Sequence, residues 1–463
     1  MLNVTITPHL EFLNADKAGQ KLFVMLKLRP NAEVSASRPS TTFSFVIDTS
    51  GSMYEVLEGE ETIPTGNSYF LDGKQYTQVT GGKTKIDQVI ESLERLVSSG
   101  QADSRDRIAL VRFDDSASVL LPLTASTDTA SLKNAIGQLR NFSGGTRMAL
   151  GMEEALNILK NCDLSSRRTL IFTDGQTFDE SDCRDLATQF AEAGIPITAL
   201  GVGEYNEDLL LYLSDRTGGR VFNVVETQTH TGTTDIPISE LPNTIFEEVQ
   251  QAQSEVINNL KLNISTVKGV KLARISRVYP DSAEIALDKK PYLIGSAIAN
   301  DDTVFMLEFD LESHSQAKVR IAQLGLTYDI PGQQRRGELP PQNLVLQFVA
   351  GHGGSAQTNP EVMGYVQQRN ISGIVDRAAN LADQNPEQAA ELLETARRLT
   401  VKIGNDAMVE SLNLGIEEVR KTRKLSSGTR KTVKMGAKGK TVKMSNDSEL
   451  GLSEDQIRNL TGS

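Results

Sequence analysis

The stretch Phe43-Ser44-Phe45-Val46-Ile47-Asp48-Thr49-Ser50-Gly51-Ser52-Met53 limits what this chain can fold into more than any other. It opens as an apolar run of β-branched and aromatic residues, then breaks into a carboxylate, two spaced hydroxyls and a glycine. The run reads as a buried strand, and its polar groups follow at the carboxyl end, where open α/β sheets bind ligands. Gly51 lets the backbone turn tightly between the two hydroxyls. Asp48, Ser50 and Ser52 are hard oxygen donors, which suit Mg²⁺ or Mn²⁺ rather than zinc. Three such groups cannot fill an octahedron, so further ligands must come from elsewhere. Two other chain junctions supply candidates. Thr173-Asp174-Gly175 closes a predicted strand over 169–172, and Ser143-Gly144-Gly145-Thr146 stands just before a helix.

From 41 to about 225 the pattern alternates. Strands are expected at 42–47, 107–113, 169–173, 197–201 and 220–224. Between them run apolar stripes at helical spacing, such as Ile86, Val89, Ile90, Leu93, Leu96 and Val97, or Met148, Met152, Leu156 and Leu159. The stripes read as core. Such alternation builds an α/β doubly wound, mainly parallel sheet with helices on both faces. The segment 54–82 has no period and is expected to be a mobile loop or small hairpin beside the metal.

The order of the three motifs resembles the von Willebrand factor A family and its metal-ion-dependent adhesion site. That pattern is D-x-S-x-S, then a Thr in a later loop, then an Asp after another strand. Asp48, Ser50, Ser52, Thr146 and Asp174 match it in order. The resemblance covers 40–225 and implies a non-enzymatic module. In it a Mg²⁺ (or Mn²⁺) ion, held by neutral hydroxyls and two aspartates, keeps a coordination position open for an Asp or Glu of a partner protein. Asp114-Asp115 reads as a cap, and the carboxylates of Asp179 and Glu204 as solvated groups.

Around the 40–230 domain the texture changes. Short β-runs over 250–350 read as an antiparallel β-sandwich, completed by strands from 1–37, so that the α/β domain is an insertion in the sandwich. Bacterial proteins of the family with a split sandwich look similar. Two N-terminal strands, 2–6 and 22–28, are expected, and two at 317–321 and 324–330. After a linker at 351–355, 358–422 reads as a helical extension. Asn385-Pro386-Glu387-Gln388 gives it an N-cap, a first-turn proline and a Gln at the third helical position.

The net charge of −12 hides an asymmetry. Nine Lys or Arg and no acid lie between Lys421 and Lys443, which leaves −21 on the remainder. An acidic body argues against specific nucleic-acid binding. The basic tail, 425–463, is expected to be flexible. Lys431-Thr432-Val433-Lys434-Met435 recurs in it as Lys440-Thr441-Val442-Lys443-Met444. That repetition marks Thr432 and Thr441 as phosphorylation sites for a phosphothreonine reader such as a forkhead-associated (FHA) domain. Beyond it, a capping box at 452–457 predicts one short helix.

Enzymatic readings fail at particular residues. A haloacid-dehalogenase-like phosphatase needs a second Asp where Ser50 stands. Gly81-Gly82-Lys83-Thr84 imitates the end of a phosphate-binding loop, but Thr77 occupies the required glycine position. The histidines, His9, His230, His314 and His352, and the cysteines, Cys162 and Cys183, form no metal or redox spacing. No membrane span or leader is expected. The resulting expectation is a cytoplasmic binding protein in bacterial signalling or complex assembly, beside a Ser/Thr kinase, phosphatase or FHA-domain protein. The alternative is an accessory or chaperone partner of a MoxR-type AAA+ ATPase.

Overall fold

The computed structural model describes residues 1–71, 74–99, 103–162, 164–226, 234–350, 358–439 and 441–445. It divides into two compact units. One is Pro39–Thr231 with Asp235–Ser254, and the other is Met1–Arg38, Gly232–Thr234 and Glu255–Ser463.

The second of these begins with β1 (Leu2–Pro8), the short β2 (Phe12–Asn14), β3 (Gln20–Pro30) and the one-turn helix α1 (Ala32–Ser35). Three strands stand where two were expected.

The α/β unit follows. Its elements are β4 (Thr41–Asp48), the hairpin β5 (Ile63–Leu71) and β6 (Lys74–Thr80), α2 (Lys85–Ser98), β7 (Arg107–Phe113) and β8 (Ala117–Ala125). Next come α3 (Thr129–Gly137), α4 (Met148–Leu159), β9 (Ser166–Thr173), α5 (Glu180–Ala193), β10 (Ile197–Val202) and α6 (Glu207–Thr217). The unit closes with β11 (Val221–Val225), β12 (Ile236–Pro237) and α7 (Leu241–Ser254). The sheet order is β12-β11-β10-β9-β4-β7-β8, and every pairing is parallel except β7 with β8. Every residue of β4 is buried, because helices cover both faces of a parallel sheet. The chain steps from β4 to β7 on one side and returns at β9 on the other. The strand order therefore reverses between β4 and β9, and such sheets open a crevice at the carboxyl ends of the strands at that point.

The segment 54–82, expected as a loop or hairpin, contains the hairpin. Elements that escaped the sequence reading include β8 and α7. Pro122 disguised β8, and that strand is an edge, where a missing N–H is tolerated. In α7 the apolar stripe of Leu241, Ile245 and Ala252 is interrupted by Glu248, which is fully buried. Glu248 accepts from Arg168 Nη1 and Thr198 Oγ1, each at 3.0 Å.

The other unit resumes with β13 (Glu255–Thr266), β14 (Val270–Tyr279), β15 (Ala283–Ile285), β16 (Tyr292–Ile298) and β17 (Thr303–Leu311). The long β18 (Lys318–Ile330), continuous where two strands were expected, and β19 (Arg335–Val349) complete its strands. They form two five-stranded sheets, β1-β3-β17-β14-β15 and β16-β13-β18-β19-β2. Residues from both sheets share one core, with Leu22, Leu26, Phe305 and Phe309 against Leu262, Leu326 and Phe348.

Four helices follow: α8 (Pro360–Leu381), α9 (Pro386–Ile403), α10 (Asp406–Thr422) and α11 (Ser427–Lys438). As expected, Asn385 caps α9, its Oδ1 accepting from Gln388 N at 3.2 Å. The helices are no detached extension. Strands β3 and β17 alternate, so Leu22, Val24 and Leu26 enter the sheet–sheet core while Phe23 and Met25 enter a second core with Val362, Val366 and Leu412. A strand apolar on both faces is one covered on both sides.

The flexible-tail expectation is overturned for its first part. Ser426 caps α11, and Val433 and Met444 are buried in the helical core. The lysines misled because composition counts their charge, whereas their long methylene stems can pack against apolar surface. Met444 N donates to Tyr365 Oη (3.2 Å) and Val442 N to Gln368 Oε1 (2.8 Å). The helix expected at 452–457, the linker at 351–355, His230 and His352 lie outside the described residues. Neither Cys162 nor Cys183 is in a disulfide. Among the described residues no helix is long and apolar enough to cross a membrane.

Candidate metal centre

Asp48 ends β4, and a 3₁₀ turn, Gly51–Tyr54, follows immediately. Asp48 Oδ1 accepts from Ser50 N (2.8 Å), which folds the loop back over the strand end. Ser50 Oγ then lies 3.2 Å from Ser52 Oγ, and Ser52 Oγ donates to Asp174 Oδ1 at 2.7 Å. Asp174 follows β9, which lies directly beside β4, so the parallel register brings the two aspartates to one end of the sheet. Thr146 comes from the loop before α4. A Cβ placed on Gly175 would sit 3.7 Å from Thr146 Oγ1 and 3.9 Å from Ser52 Oγ. The three loops named from sequence thus meet. Asp48, Ser50, Thr146 and Asp174 are buried and Ser52 is half-buried.

Several residues that the sequence reading missed hold this arrangement. Thr173 Oγ1 donates to Asp48 Oδ2 (2.7 Å), fixing the buried carboxylate from the neighbouring strand. Asp115 Oδ2 accepts from Gly145 N (2.9 Å), and Gly51 N donates to Gly144 O (3.0 Å), so the threonine loop is tied to both neighbouring loops. Asp115 is therefore a positioning residue. Asp114 pairs with Arg112 (2.8 Å) and accepts from Ser116 N (2.9 Å), the turn-cap role expected of it. Asp179, read as a solvated carboxylate, instead accepts from Thr177 Oγ1 (2.5 Å) and Ala149 N (3.3 Å), bracing the start of α4.

The largest omission is Lys85. It is 4% exposed, and its Nζ lies 2.9 Å from Asp174 Oδ2, 2.5 Å from Glu55 Oε2 and 3.8 Å from Glu226 Oε1. The capping box of Thr84 and Asp87 starts α2 at this point and so places the ammonium. Nothing local marks it, because Asp174 is 89 residues away in the chain.

The electrostatics suit a divalent cation. Burial, and then the charge of Asp174, push the Asp48 carboxyl well above the usual carboxylate range. Burial also raises Asp174, against the pull of Lys85. Three carboxylates, Asp174, Glu55 and Glu226, thus gather around one ammonium, and the charge of Asp174 is felt at Asp48. Two aspartates and three hydroxyls form an all-oxygen donor set, which fits Mg²⁺ or Mn²⁺. Among the described residues no three His, Cys, Asp or Glu side chains form a metal cluster; the hydroxyls would have to complete the shell. Phe178 lies at the rim, 69% exposed, with Cε2 3.3 Å from where a Gly145 Cβ would stand.

This fold and its strand-end loops define a class, and the comparisons agree with it. Residues 44–235 match the von Willebrand factor type A domain. Residues 360–443 match the Sll0103-like, C-terminal alpha-helical domain, which takes in α11 as well as the three helices before it. A von Willebrand factor type A protein from Catenulispora acidiphila superposes with a TM-score of 0.74 at 17% identity, covering 95% of this chain and 97% of that one. The ArnB paralog VWA2 from Sulfolobus acidocaldarius gives 0.58 at 14% identity, over 94% and 98%. By sequence, Matrilin-3 from Homo sapiens is 28% identical over 136 residues, which is 28% of this chain and 26% of that protein. An uncharacterized protein of Borreliella burgdorferi is 23% identical over 143 residues, 26% of this chain and 42% of the other. The chain thus spans a quarter to two fifths of these two relatives.

Proposed function

We propose that the protein is a non-enzymatic interaction module in which Asp48, Ser50, Ser52, Thr146 and Asp174 hold Mg²⁺ or Mn²⁺ at a metal-ion-dependent adhesion site. In this reading the α/β domain is inserted in an antiparallel β-sandwich of bacterial type. The observation that carries it is the meeting of three loops: the Ser52 hydroxyl touches Ser50 on its own loop and Asp174 on another, and a Cβ on Gly175 would lie within 4 Å of both Ser52 Oγ and Thr146 Oγ1. When bound, the ion supplies an open coordination position for a partner's Asp or Glu. The chain's own residues do the rest. Thr173 orients Asp48, Asp115 holds the Thr146 loop, and Phe178 offers an exposed apolar contact beside the site.

We place the protein in the cytoplasm of a bacterium, in signalling or complex assembly, with a Ser/Thr kinase, phosphatase or FHA-domain protein as partner. Phosphorylation of Thr432 and Thr441 belongs to that reading, but it requires α11 to leave its neighbours. Thr432 is 6% exposed and its hydroxyl donates to Gly428 O (3.1 Å).

The deciding experiment is capture of partners by wild type and by Asp174→Ala, with and without chelator. Partners lost under both treatments support the metal-dependent reading, and unchanged capture refutes it. A kinase, phosphatase or FHA-domain protein among those lost favours signalling. A hexameric ATPase transfers the function to the MoxR-type pairing.

A further inference from the structure

A cavity of about 470 Å³ lies in the unit formed by the sheets and helices, between α8, the β14–β15 turn and the end of α11. It is remote in sequence from every residue of the candidate metal centre. Five cations line it, Lys21, Arg274, Arg369, Arg377 and Lys438, against three carboxylates, Glu284, Glu308 and Asp376.

The acids do not cancel the excess. Glu308 is held between Lys21 Nζ (2.6 Å) and Arg369 Nη1 (2.9 Å) and is 4% exposed, so those three charges form a closed group at the wall. Glu284 accepts from Ser276 Oγ at 2.9 Å and approaches Arg274 only to 3.9 Å. Arg377 makes no ion pair or hydrogen bond with any described residue. Two guanidiniums in one pocket thus retain donors without a committed acceptor.

A second, independent observation comes from Asn370, which lines the same cavity. It is 8% exposed, yet its Nδ2 has no hydrogen-bond partner among the described residues. A buried amide donor left unsatisfied costs about 1–3 kcal/mol, which adds to the polar character of this wall. The volume is that of a small-molecule site. Paired guanidiniums recognise oxyanions that offer two or more acceptor oxygens.

We propose that this cavity binds a small polyanion of the phosphate class, a phosphate ester or pyrophosphate group, through Arg274 and Arg377. The closure of α11 completes the pocket. Ser372 Oγ donates to Ala437 O (2.7 Å) and Ser282 N to Lys438 O (3.2 Å), which brings Lys438 to its edge.

Gly373 provides a test that leaves the fold intact. It lies in α8 on the cavity wall, and a Cβ there meets nothing within 4 Å. Gly373→Glu puts a bulky anion into the cavity and raises helix propensity. The test is calorimetric titration of the full chain with sodium pyrophosphate, and in parallel with inorganic phosphate, in metal-depleted buffer at constant ionic strength. Binding that weakens at least tenfold in Arg274→Gln and Arg377→Gln, and vanishes in Gly373→Glu with an unchanged circular dichroism spectrum, supports the proposal. Pyrophosphate heats no larger than those of sodium chloride overturn it. So does an affinity equal in all three variants, or citrate binding as tightly as pyrophosphate. Asp48→Ala, which removes the proposed metal site, is expected to bind pyrophosphate like wild type, so the two proposals fail separately.

Discussion

Lys85 is the residue that sets how tightly the candidate centre takes a cation. Its ammonium lies 2.9 Å from Asp174 Oδ2, so an incoming dication competes with a charge already in place. Replacing it by the nearly isosteric, neutral Met leaves Asp174 and the neighbouring carboxylates Glu55 and Glu226 without their ammonium, so that a bound metal becomes their counter-ion. Lys85→Met is expected to bind Mg²⁺ about tenfold more tightly, equivalent to about 1.4 kcal/mol. Magnesium titration followed by thermal shift checks this, and unchanged or weaker binding refutes it. Asp48→Ala should abolish the Mg²⁺ response in the same assay. His9 offers a prediction on pH. It is 3% exposed, its Nδ1 accepts from Phe23 N (3.3 Å), and burial depresses it from 6.5 to about 4. The unfolded chain therefore binds a proton between those values and the folded chain does not. Stability is full above about pH 6.5 and is lost as the pH falls toward 4, by on the order of 3 kcal/mol. His9→Asn keeps an acceptor and removes the titration, so its urea midpoint should change less over that range than wild type's; parallel curves would count against this.

At the scale of elements, α11 shows how a basic segment becomes structural. The segment carries Val433 and then Met444, and both fill the helical core. Met444→Ala removes a side chain 5% exposed and should cost about 2–4 kcal/mol, read from the denaturant midpoint. A truly flexible tail would tolerate it. Thr432→Glu, placing a charge where a buried hydroxyl bonds to Gly428 O, should destabilise at least as much. The hairpin β5–β6 behaves in the opposite way. It leaves Ile63 72% and Phe70 74% exposed, so removing it should change partner capture and leave the melting temperature nearly unaltered.

For the whole molecule, the two units have separate cores. Phe43, Ile47, Leu93 and Phe172 belong to the α/β core, and none of them appears in the two cores of the other unit. Calorimetry should resolve two unfolding transitions, with Mg²⁺ raising only that of the α/β unit. At a hundredfold excess over Kd the gain is about 2.7 kcal/mol. A single transition, or a shift in both, would show that the units unfold together. The boundaries of these units were only partly legible in the sequence. The 40–230 segment could be read because its strand–helix alternation repeats, whereas the helical region looked separate because nothing local says that Phe23 and Met25 face it.

The sequence by itself determined the α/β alternation, the buried strand ending at Asp48 and the three motifs that meet there. Each is a local pattern of apolar period followed by polar break, and local patterns survive without knowledge of distant neighbours. Only the tertiary structure decided that Lys85 joins Asp174, that Thr173 orients Asp48, that the first part of the lysine-rich tail folds, and that Arg274 and Arg377 line one cavity. Those outcomes depend on side chains far apart in the chain. Their charge or polarity, read singly, points to water, and their burial follows from which surfaces the packed strands and helices leave beside them.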